Sequence, residues 1–315
     1  MVSDSRVGGW TMKIGIAGAG AVGCHYGSLL HQAGYAVALL ARGAHLAALQ
    51  ADGLRHESMG KLTTVHMPAS GDAAILEDCD AVLIAAKNTT LDAMCAQIAP
   101  HIGKNAMLVT LQNGVRAPGI VARHLPAHPL AAGSAFIGVR IEDPGHIIHS
   151  AAGHIRFAPW SPDAAAPLHR LVAALKQAGV DAGIENDARA MLWTKMLWNC
   201  GFNAITALTR RYARDIAADA DIARWVEAAM LEAVAVARAE RVALADNVVE
   251  RILHSSRSAG EVKTSMWQDI EHGRPTEIAD MNGQIVELAA HHGLAAPVNA
   301  MLTSLIRAAE GASGH

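Results

Sequence analysis

The segment KIGIAGAGAVGCHYGSLL, residues 13–30, constrains the fold of this 315-residue chain more than any other stretch. An apolar run leads directly into Gly18, Gly20 and Gly23, and a helical pattern follows. Glycines at this spacing let a strand turn tightly into a helix and let the helix pack closely on the strand. The segment therefore predicts the first strand, turn and helix of an α/β domain.

Short apolar runs followed by turns recur through the first half of the chain. They are KIGIAG (13–18), AVALLA (36–41), AVLIAA (81–86) and MLVTLQ (107–112). Because helical patterns separate these runs, we predict an α/β fold with a parallel, doubly wound sheet of the Rossmann type. Two further strand candidates, SAFIGVRI and GHIIHSAAGHIRFAP, follow closely and predict antiparallel pairing at one edge of the sheet.

Long patterns with a 3.6-residue hydrophobic period replace these runs from about residue 186. They show no strand-like alternation, so we predict that an all-α C-terminal domain follows the sheet. The expected organisation is an N-terminal extension over residues 1–12, a Rossmann-type domain over 13–185 and a helical domain over 186–315.

Composition narrows the classes of partner. Hydrophobic residues make up 51% of the chain and charged residues 17%, as in well-packed globular proteins. A formal net charge of -3 gives no electrostatic reason to expect nucleic acid or an anionic membrane surface. No apolar run approaches the ~20 residues that span a bilayer. We therefore expect a small molecule as the partner.

The cysteines and histidines give no sign of a metal site. Four cysteines without a CxxC pair favour reduced thiols in a cytoplasmic protein, and the first twelve residues lack the apolar core of a secretion signal. His146, His149 and His154 match no common metal-ligand spacing. We interpret them as ordinary strand or surface residues, on two strands that flank an Ala-Gly turn.

The glycine turn also predicts a dinucleotide site. The second glycine lets a pyrophosphate approach the backbone, and the phosphate then rests on the N-terminus of the helix. A structural turn without a ligand is the alternative, which the strand-turn-helix context disfavours. The predicted cofactor contacts in the turn are Gly18, Ala19, Gly20, Ala21, Val22 and Gly23.

Arg42 stands at the end of the second strand, where an NAD site usually offers Asp or Glu to the ribose. A guanidinium there pairs with the 2′-phosphate of NADP, so we predict NADP as the cofactor, with a solvated loop arginine as the alternative. Lys87 and Asn113 follow later strands, at the edge where open α/β sheets bind ligands. Taken alone, each fits a simple turn residue equally well.

A polar stripe interrupts the apolar helix LWTKMLWNCGFNAITAL, residues 192–208. Lys195, Asn199 and Asn203 recur at four-residue steps, which place them on one side of a helix. The stripe could face water, but asparagine is a poor helix former that offers short, directional hydrogen bonds. We therefore favour a stripe that faces a ligand.

A second polar group lies in KTSMWQDIEHGRPTEIADMNG, residues 263–283. Ser265 and Asp269 are also one four-residue step apart, and Glu277 opens a predicted helix just after Pro275. A carboxylate is stabilised at a helix N-terminus, so a helix-start acid is a serious alternative for Glu277.

Together these motifs resemble the 2-dehydropantoate 2-reductase, or ketopantoate reductase, family. The matching segments run in order from about residue 13 to residue 297: GAGAVG, the Arg42 position, Lys87, QNG with Asn113, LWTKMLWNCGFNAITAL, SMWQD and PTEIADMNG. The resemblance implies a Rossmann domain that binds NADP and a helical domain that binds substrate and carries the catalytic residues. It implies reduction of ketopantoate by NADPH to pantoate, in pantothenate and coenzyme A biosynthesis.

The resemblance also implies roles for single residues. Lys195 resembles the lysine that protonates the carbonyl oxygen, and Glu277 resembles the acid that orients this chemistry. Asn199, Asn203 and Ser265 resemble substrate-binding residues, and Asn113 resembles an asparagine near both nicotinamide and substrate. Burial should lower the pKa of such a lysine, and a carboxylate partner should raise it again.

Three alternatives stay open at this point. Trp198 and Phe202 place bulk beside the stripe, so another 2-oxo acid could be the substrate. A non-catalytic NADP sensor would not need the lysine, asparagine and glutamate to converge. The third alternative is a helical interaction module, based on the apolar stripe of DIARWVEAAMLEAVAVARAE. This stripe fits a core or a homodimer face of the helical domain better than a groove for a partner.

Overall fold

A computed structural model describes residues 12–312 of the chain, which fall into two compact units. The first unit comprises the chain up to Gln112 together with Pro118–Ile184, and the second comprises Asn113–Ala117 and the chain from Glu185 onward. The predicted N-terminal extension, residues 1–12, lies outside the described residues except for Met12.

The first unit is built on one ten-stranded sheet. Its strands are β1 (Lys13–Ala17), β2 (Ala36–Leu40), β3 (Leu54–Ser58), β4 (Lys61–Val65), β5 (Ala69–Ser70), β6 (Ala81–Ile84), β7 (Met107–Thr110), β8 (Leu130–Asp143), β9 (His146–Pro159) and β10 (Ala182–Ile184). The order is β4-β3-β9-β8-β7-β6-β1-β2-β5, and β10 pairs with β9. Helices α1 (Ala21–Gln32), α2 (Gly43–Asp52), α3 (Leu91–Ile98), α4 (Ala117–His124) and α5 (Ala165–Gln177) connect the strands.

Strand β1 lies inside the sheet and has a parallel strand on each side. It pairs in parallel with β2 on one side and with β6 on the other, and β7 and β8 continue in parallel beyond β6. The chain leaves β1 through the glycine turn into α1, so this turn lies where the strand order reverses. Open α/β sheets bind ligands at such a point. The predicted doubly wound sheet is confirmed.

Two details of the predicted sheet are wrong. The segment GHIIHSAAGHIRFAP forms the single strand β9, antiparallel to β8, and the predicted Ala-Gly turn is a bulge at which Phe136 pairs with His154 and Ile137 with Ala152. Gly153 is the extra residue, with φ of +120°. The antiparallel pair β8-β9 also lies inside the sheet, because the unpredicted hairpin β3-β4 extends it past β9.

The second unit is helical, as predicted. Its helices are α6 (Ala188–Thr209), α7 (Ala213–Ala218), α8 (Ala220–Ala239), α9 (Val248–Arg257), α10 (Ser265–Glu271), α11 (Asn282–His291) and α12 (Pro297–Ala312). The long helix α6 packs closely on α8 at Gly201, where an added Cβ would lie 2.5 Å from Cε of Met230. Gly201 therefore allows α8 to approach the middle of α6. Among the described residues, no helix combines the length and apolarity needed to cross a membrane.

A buried histidine network ties α1 to strands β3 and β9. Nδ1 of His25 lies 3.1 Å from Nε2 of His56, whose Nδ1 lies 2.7 Å from Oγ of Ser28. The Ser28 hydroxyl donates to the carbonyl of His25, so His56 Nδ1 must donate to Ser28, and His56 Nε2 must then accept from His25. His149 Nε2 faces the carbonyls of residues 151 and 152, so that nitrogen donates, and its Nδ1 accepts from Ser58. Neutral imidazoles satisfy every contact.

This network should make the sheet unit sensitive to acid. Burial and then the nearby histidines lower the pKa of His25 to about 3 and that of His56 to about 4. The unfolded chain takes up protons near pH 6.5, whereas the folded chain resists them, so stability present above pH 6.5 is lost as the pH falls toward 4. Each histidine should lower the free energy of unfolding by up to about 1.4 kcal/mol per pH unit in this window. Urea unfolding between pH 4.5 and 7.5 measures the slope.

The variant His25→Gln separates this effect from general acid sensitivity. It should be less stable than the wild type at pH 7.5 but should show a shallower loss of stability with acid. His66→Gln, at an exposed histidine of the same unit, is the matched control and should keep the wild-type slope. Equal slopes in wild type and His25→Gln would contradict the assignment.

Candidate active site

Helix α6 holds the predicted polar stripe. It begins at Asp187, whose carboxylate accepts from the backbone N–H groups of Arg189 and Ala190 at 2.8 and 3.0 Å, as an N-cap does. Asn199 and Asn203 are 4% and 2% exposed, so the alternative of a stripe that faces water is wrong for both amides. Lys195, one turn earlier, is half-buried.

Glu277 lies beside this stripe and is held by Asn113. Nδ2 of Asn113 donates to Oε2 of Glu277 at 2.8 Å. Glu277 does not open an α-helix as predicted: it precedes a three-residue 3₁₀ turn, Ile278–Asp280, and α11 starts only at Asn282. A helix-start acid is therefore a poor description of this residue. Its carboxylate is fixed by an amide from a distant part of the sequence.

The segment that carries Asn113 belongs to the helical unit, although it follows strand β7 in the sequence. Gly114 has φ of +87°, and an added Cβ would lie 2.9 Å from the carbonyl oxygen of Asp280. Nη2 of Arg116 lies 2.7 Å from Oε2 of Glu287 on α11. Asn113 thereby reaches Glu277 within one compact unit.

The environment of Lys195 tunes its acidity. Burial lowers the pKa of Lys195 to about 8, and the charge of Glu277 opposes this by raising it. The ammonium is therefore mostly protonated at pH 7 yet gives up its proton more readily than an exposed lysine. A cationic proton donor with a pKa near the working pH is suited to general acid catalysis.

The two amides of the stripe are incompletely satisfied. Among residues 12–312, Nδ2 of Asn199 and Oδ1 of Asn203 are buried without a hydrogen-bond partner, while Nδ2 of Asn203 lies 3.1 Å from Sδ of Met281. An unpaired buried polar atom costs about 1–3 kcal/mol, so a well-packed helix rarely keeps two of them without reason. A polar ligand would satisfy both atoms.

Ser265, another predicted substrate residue, lies on a different helix from the stripe. It is exposed, at the first position of α10. The preceding residue anchors the helix: Oγ1 of Thr264 lies 2.8 Å from Oγ1 of Thr206 on α6, and both residues are buried. Asp269, one step after Ser265, accepts from Nε of Arg274 at 3.1 Å. No sequence signal predicted the contacts that Thr264 and Met281 make with α6, since neither residue is a typical ligand residue.

The glycine turn of the sheet unit has the geometry of a dinucleotide site. An added Cβ at Gly18 would lie 2.7 Å from the backbone nitrogen of Ala86, and one at Gly23 would lie 2.6 Å from Cγ2 of Ile16. At Gly20 an added Cβ would meet no atom of the described chain within 4 Å. The first and third glycines therefore allow close packing, and the second leaves open space where a pyrophosphate could approach.

The other predicted cofactor residues lie at strand ends of the same unit. Arg42 is exposed, directly before α2, and no acidic residue stands between β2 and α2. Lys87 is exposed directly before the short turn Asn88–Thr90. Behind it, the side chain of Gln112 donates to the carbonyls of Ile84 and Ala86, both at 2.9 Å, and so fixes the loop. Within the described residues, no cluster of His, Cys, Asp or Glu has a metal-binding arrangement.

Comparison with known proteins identifies the family. The profile of ketopantoate reductase PanE/ApbA matches residues 14–162, and that of the C-terminal domain of the same family matches residues 187–310. A 2-dehydropantoate 2-reductase of Halobacterium salinarum is 30% identical over 95% of this chain and 99% of its own. The chain belongs to the ketopantoate reductase family, a family of pyridine-nucleotide-dependent oxidoreductases.

Solved structures agree with this fold. A PanE/ApbA family ketopantoate reductase from Ralstonia eutropha is 33% identical with a TM-score of 0.84, over 96% of this chain and all of the other. A D-mandelate dehydrogenase, solved with NADH and anilino(oxo)acetate, is 26% identical with a TM-score of 0.87 over 96% of this chain and all of the other. Relatives of this fold therefore include proteins named for different substrates.

Gly20 offers a test of the nucleotide site that does not depend on catalysis. Gly20→Ala should fold with a loss below about 1 kcal/mol, since the methyl group meets open space and φ is -80°. It should nevertheless weaken NADPH binding by about tenfold or more, because the methyl group stands in the approach of the pyrophosphate. Urea unfolding and a fluorescence titration with NADPH measure the two effects.

Gly23→Ala is the matched comparison. Its methyl group would collide with Ile16, so this variant should lose about 1–3 kcal/mol of stability through overpacking. Wild-type affinity for NADPH in Gly20→Ala would show that the open space at Gly20 is not the pyrophosphate site.

Proposed function

We propose that this protein reduces 2-dehydropantoate (ketopantoate) to pantoate with NADPH, a step of pantothenate and coenzyme A biosynthesis. The observation that carries the proposal is the partly buried charge pair of Lys195 and Glu277, with Asn113 donating a hydrogen bond to the carboxylate. The names of relatives such as the Halobacterium salinarum reductase support the choice of substrate. The same convergence argues against a nucleotide sensor, which has no use for a tuned proton donor.

The chemistry follows from the charges that develop on the substrate. A nicotinamide cofactor held at the glycine turn would supply hydride for the carbonyl carbon. Negative charge then grows on the carbonyl oxygen, and Nζ of Lys195 stabilises it and donates its proton there. Glu277 keeps the lysine protonated and oriented, and Asn113 holds the carboxylate in place.

Substrate binding is assigned to Asn113, Asn199, Asn203 and Ser265. The unpaired buried atoms of Asn199 and Asn203 support this for the stripe, and the exposed hydroxyl of Ser265 is available to a carboxylate. In this proposal residues 13–185 bind NADP, and residues 186–315 bind the substrate and carry the catalytic pair. Asn113 then serves the catalytic side despite its position in the sequence.

NADP is proposed because of the charge at the end of β2. Arg42 is exposed there, and the absence of a carboxylate between β2 and α2 in this described segment removes the usual partner of the NAD ribose. The glycine turn and Lys87 would hold the phosphates. The D-mandelate dehydrogenase structure contains NADH, and the variant Arg42→Ser distinguishes the two cofactors.

Two further assignments belong to the proposal. Exposed apolar side chains on α8 and α12, namely Trp225, Leu231, Met301 and Leu305, support a homodimer through the helical domain. All four cysteines are free and buried, which supports a cytoplasmic location.

An aromatic 2-oxo acid is the second candidate substrate, favoured by the similarity to the D-mandelate dehydrogenase. The bulk of Trp198 and Phe202 gives this candidate little support, because both side chains already have contacts within the helical unit. Phe202 is fully buried in the helical core, and Nε1 of Trp198 donates to Ser256 on α9 at 3.2 Å. Phe202 therefore packs in the helical core, and Trp198 is hydrogen-bonded to α9.

Turnover tests the proposed reaction directly. Wild-type protein should oxidise NADPH with ketopantoate faster than with phenylglyoxylate or other 2-oxo acids. Lys195→Ala should lower kcat by about a hundredfold or more while NADPH still binds, because a general acid contributes about 10²–10⁴-fold. Lys104→Ala, at an exposed lysine, is the control and should keep wild-type rates. Binding of NADPH without turnover of any 2-oxo acid would reject a reductase.

The pH profile tests the role given to Glu277. Wild-type kcat/KM should fall above about pH 8, where Lys195 loses its proton. In Glu277→Gln the carboxylate no longer raises the pKa of the lysine, so this limb should move to lower pH. An unchanged limb would mean that Glu277 does not act through Lys195.

Cofactor choice has a separate prediction. Arg42→Ser should lower the ratio of kcat/KM for NADPH over NADH by about tenfold or more, since a charge-assisted contact to phosphate is worth roughly 1.5–3 kcal/mol. Arg55→Ser removes another exposed arginine of the same unit and should leave the ratio unchanged. An unchanged ratio in Arg42→Ser would assign Arg42 to the solvated loop.

A further inference from the structure

The amide of Asn203 is held in one orientation by Met281. Its Nδ2 lies 3.1 Å from the thioether sulfur, and the two residues are 2% and 1% exposed. A thioether sulfur accepts hydrogen bonds but cannot donate them. The amide nitrogen must therefore face Met281, and the amide oxygen must point the other way.

The stripe consequently presents a defined pair of polar atoms. The oxygen of Asn203 is an acceptor without a partner in residues 12–312, and the nitrogen of Asn199, one turn earlier, is a donor without one there. A bound molecule that satisfies both must offer a donor to Asn203 and an acceptor to Asn199. A hydroxyl group meets the first need, and a carboxylate or carbonyl oxygen meets the second.

Asn282, the residue that follows Met281, holds Met281 against α6. Nδ2 of Asn282 donates to the carbonyl oxygen of Cys200 at 2.9 Å and to Oδ1 of Asn299 at the same distance. Cys200 lies between the two amides of the stripe on α6. Asn282 is fully buried, so this anchor keeps Met281 against Asn203.

We propose that Met281 is a positioning residue that makes Asn203 a hydrogen-bond acceptor, so that the site selects 2-oxo acids carrying a hydroxyl group. This rests on the proposed function and assigns recognition of the substrate hydroxyl to Asn203, with Met281 holding its amide. A 2-oxo acid without the hydroxyl leaves the Asn203 oxygen unpaired and is disfavoured for that reason. With an apolar residue at position 281, the amide turns freely and the selection is lost.

The test compares two substrates that differ by one oxygen atom. They are ketopantoate and its deoxy analogue, 3,3-dimethyl-2-oxobutanoate, each with NADPH. Wild-type kcat/KM should favour ketopantoate by about tenfold or more. Met281→Leu, which keeps the volume but removes the acceptor, should reduce this preference about fivefold or more. Met281→Gln, whose side-chain oxygen again accepts from the amide, should restore most of it.

Met266→Leu is the matched control. Met266 is also 1% exposed in the same helical core, and its replacement should leave the preference unchanged. Equal loss of both activities in Met281→Leu, with the preference kept, would reduce Met281 to a packing residue and overturn the inference. Failure of the wild type to reduce either acid would reject the proposed function as well, so the two failures are distinguishable.

Discussion

The partly buried ammonium of Lys195 is the group that the helical unit must accommodate. A charge removed from water is costly unless an opposite charge lies near it, and Glu277 supplies that charge. The carboxylate in turn needs a donor, and Asn113 provides it. The result is a chain of three polar groups drawn from three separated parts of the sequence, each of which depends on the next.

Contacts from α8 and Asn282 hold the middle of α6, while the side-chain amides of Asn199 and Asn203 remain incompletely paired. Gly201 lets Met230 approach the helix, and Asn282 takes a carbonyl from its backbone. These contacts fix the helix without using Nδ2 of Asn199 or Oδ1 of Asn203. Rigid support with unsatisfied polar atoms is the arrangement expected of a binding site, because a preorganised group loses little entropy when a ligand arrives.

Much of this architecture could be predicted from the sequence, because the relevant signals are local. Strands β1, β2, β6 and β7 are continuous apolar runs, and the helices of the second unit show a clear 3.6-residue period. The hairpin β3-β4 was missed because His56 is buried yet polar, and the partners that satisfy it come from α1. The stripe on α6 was readable from four-residue spacing, whereas the role of Met281 was not. A thioether contact leaves no pattern in a sequence.

The short segment 113–117 has a consequence for how such a chain can be divided or recombined. Its residues lie in the sequence between β7 and α4, yet Gly114 and Arg116 contact the helical unit. A fragment cut at residue 185 would therefore separate the helical unit from the amide that holds Glu277. In a chimera with a relative, these five residues have to come from the same parent as the helical half. The residues of this unit lie together in the structure, but two separate stretches of the gene encode them.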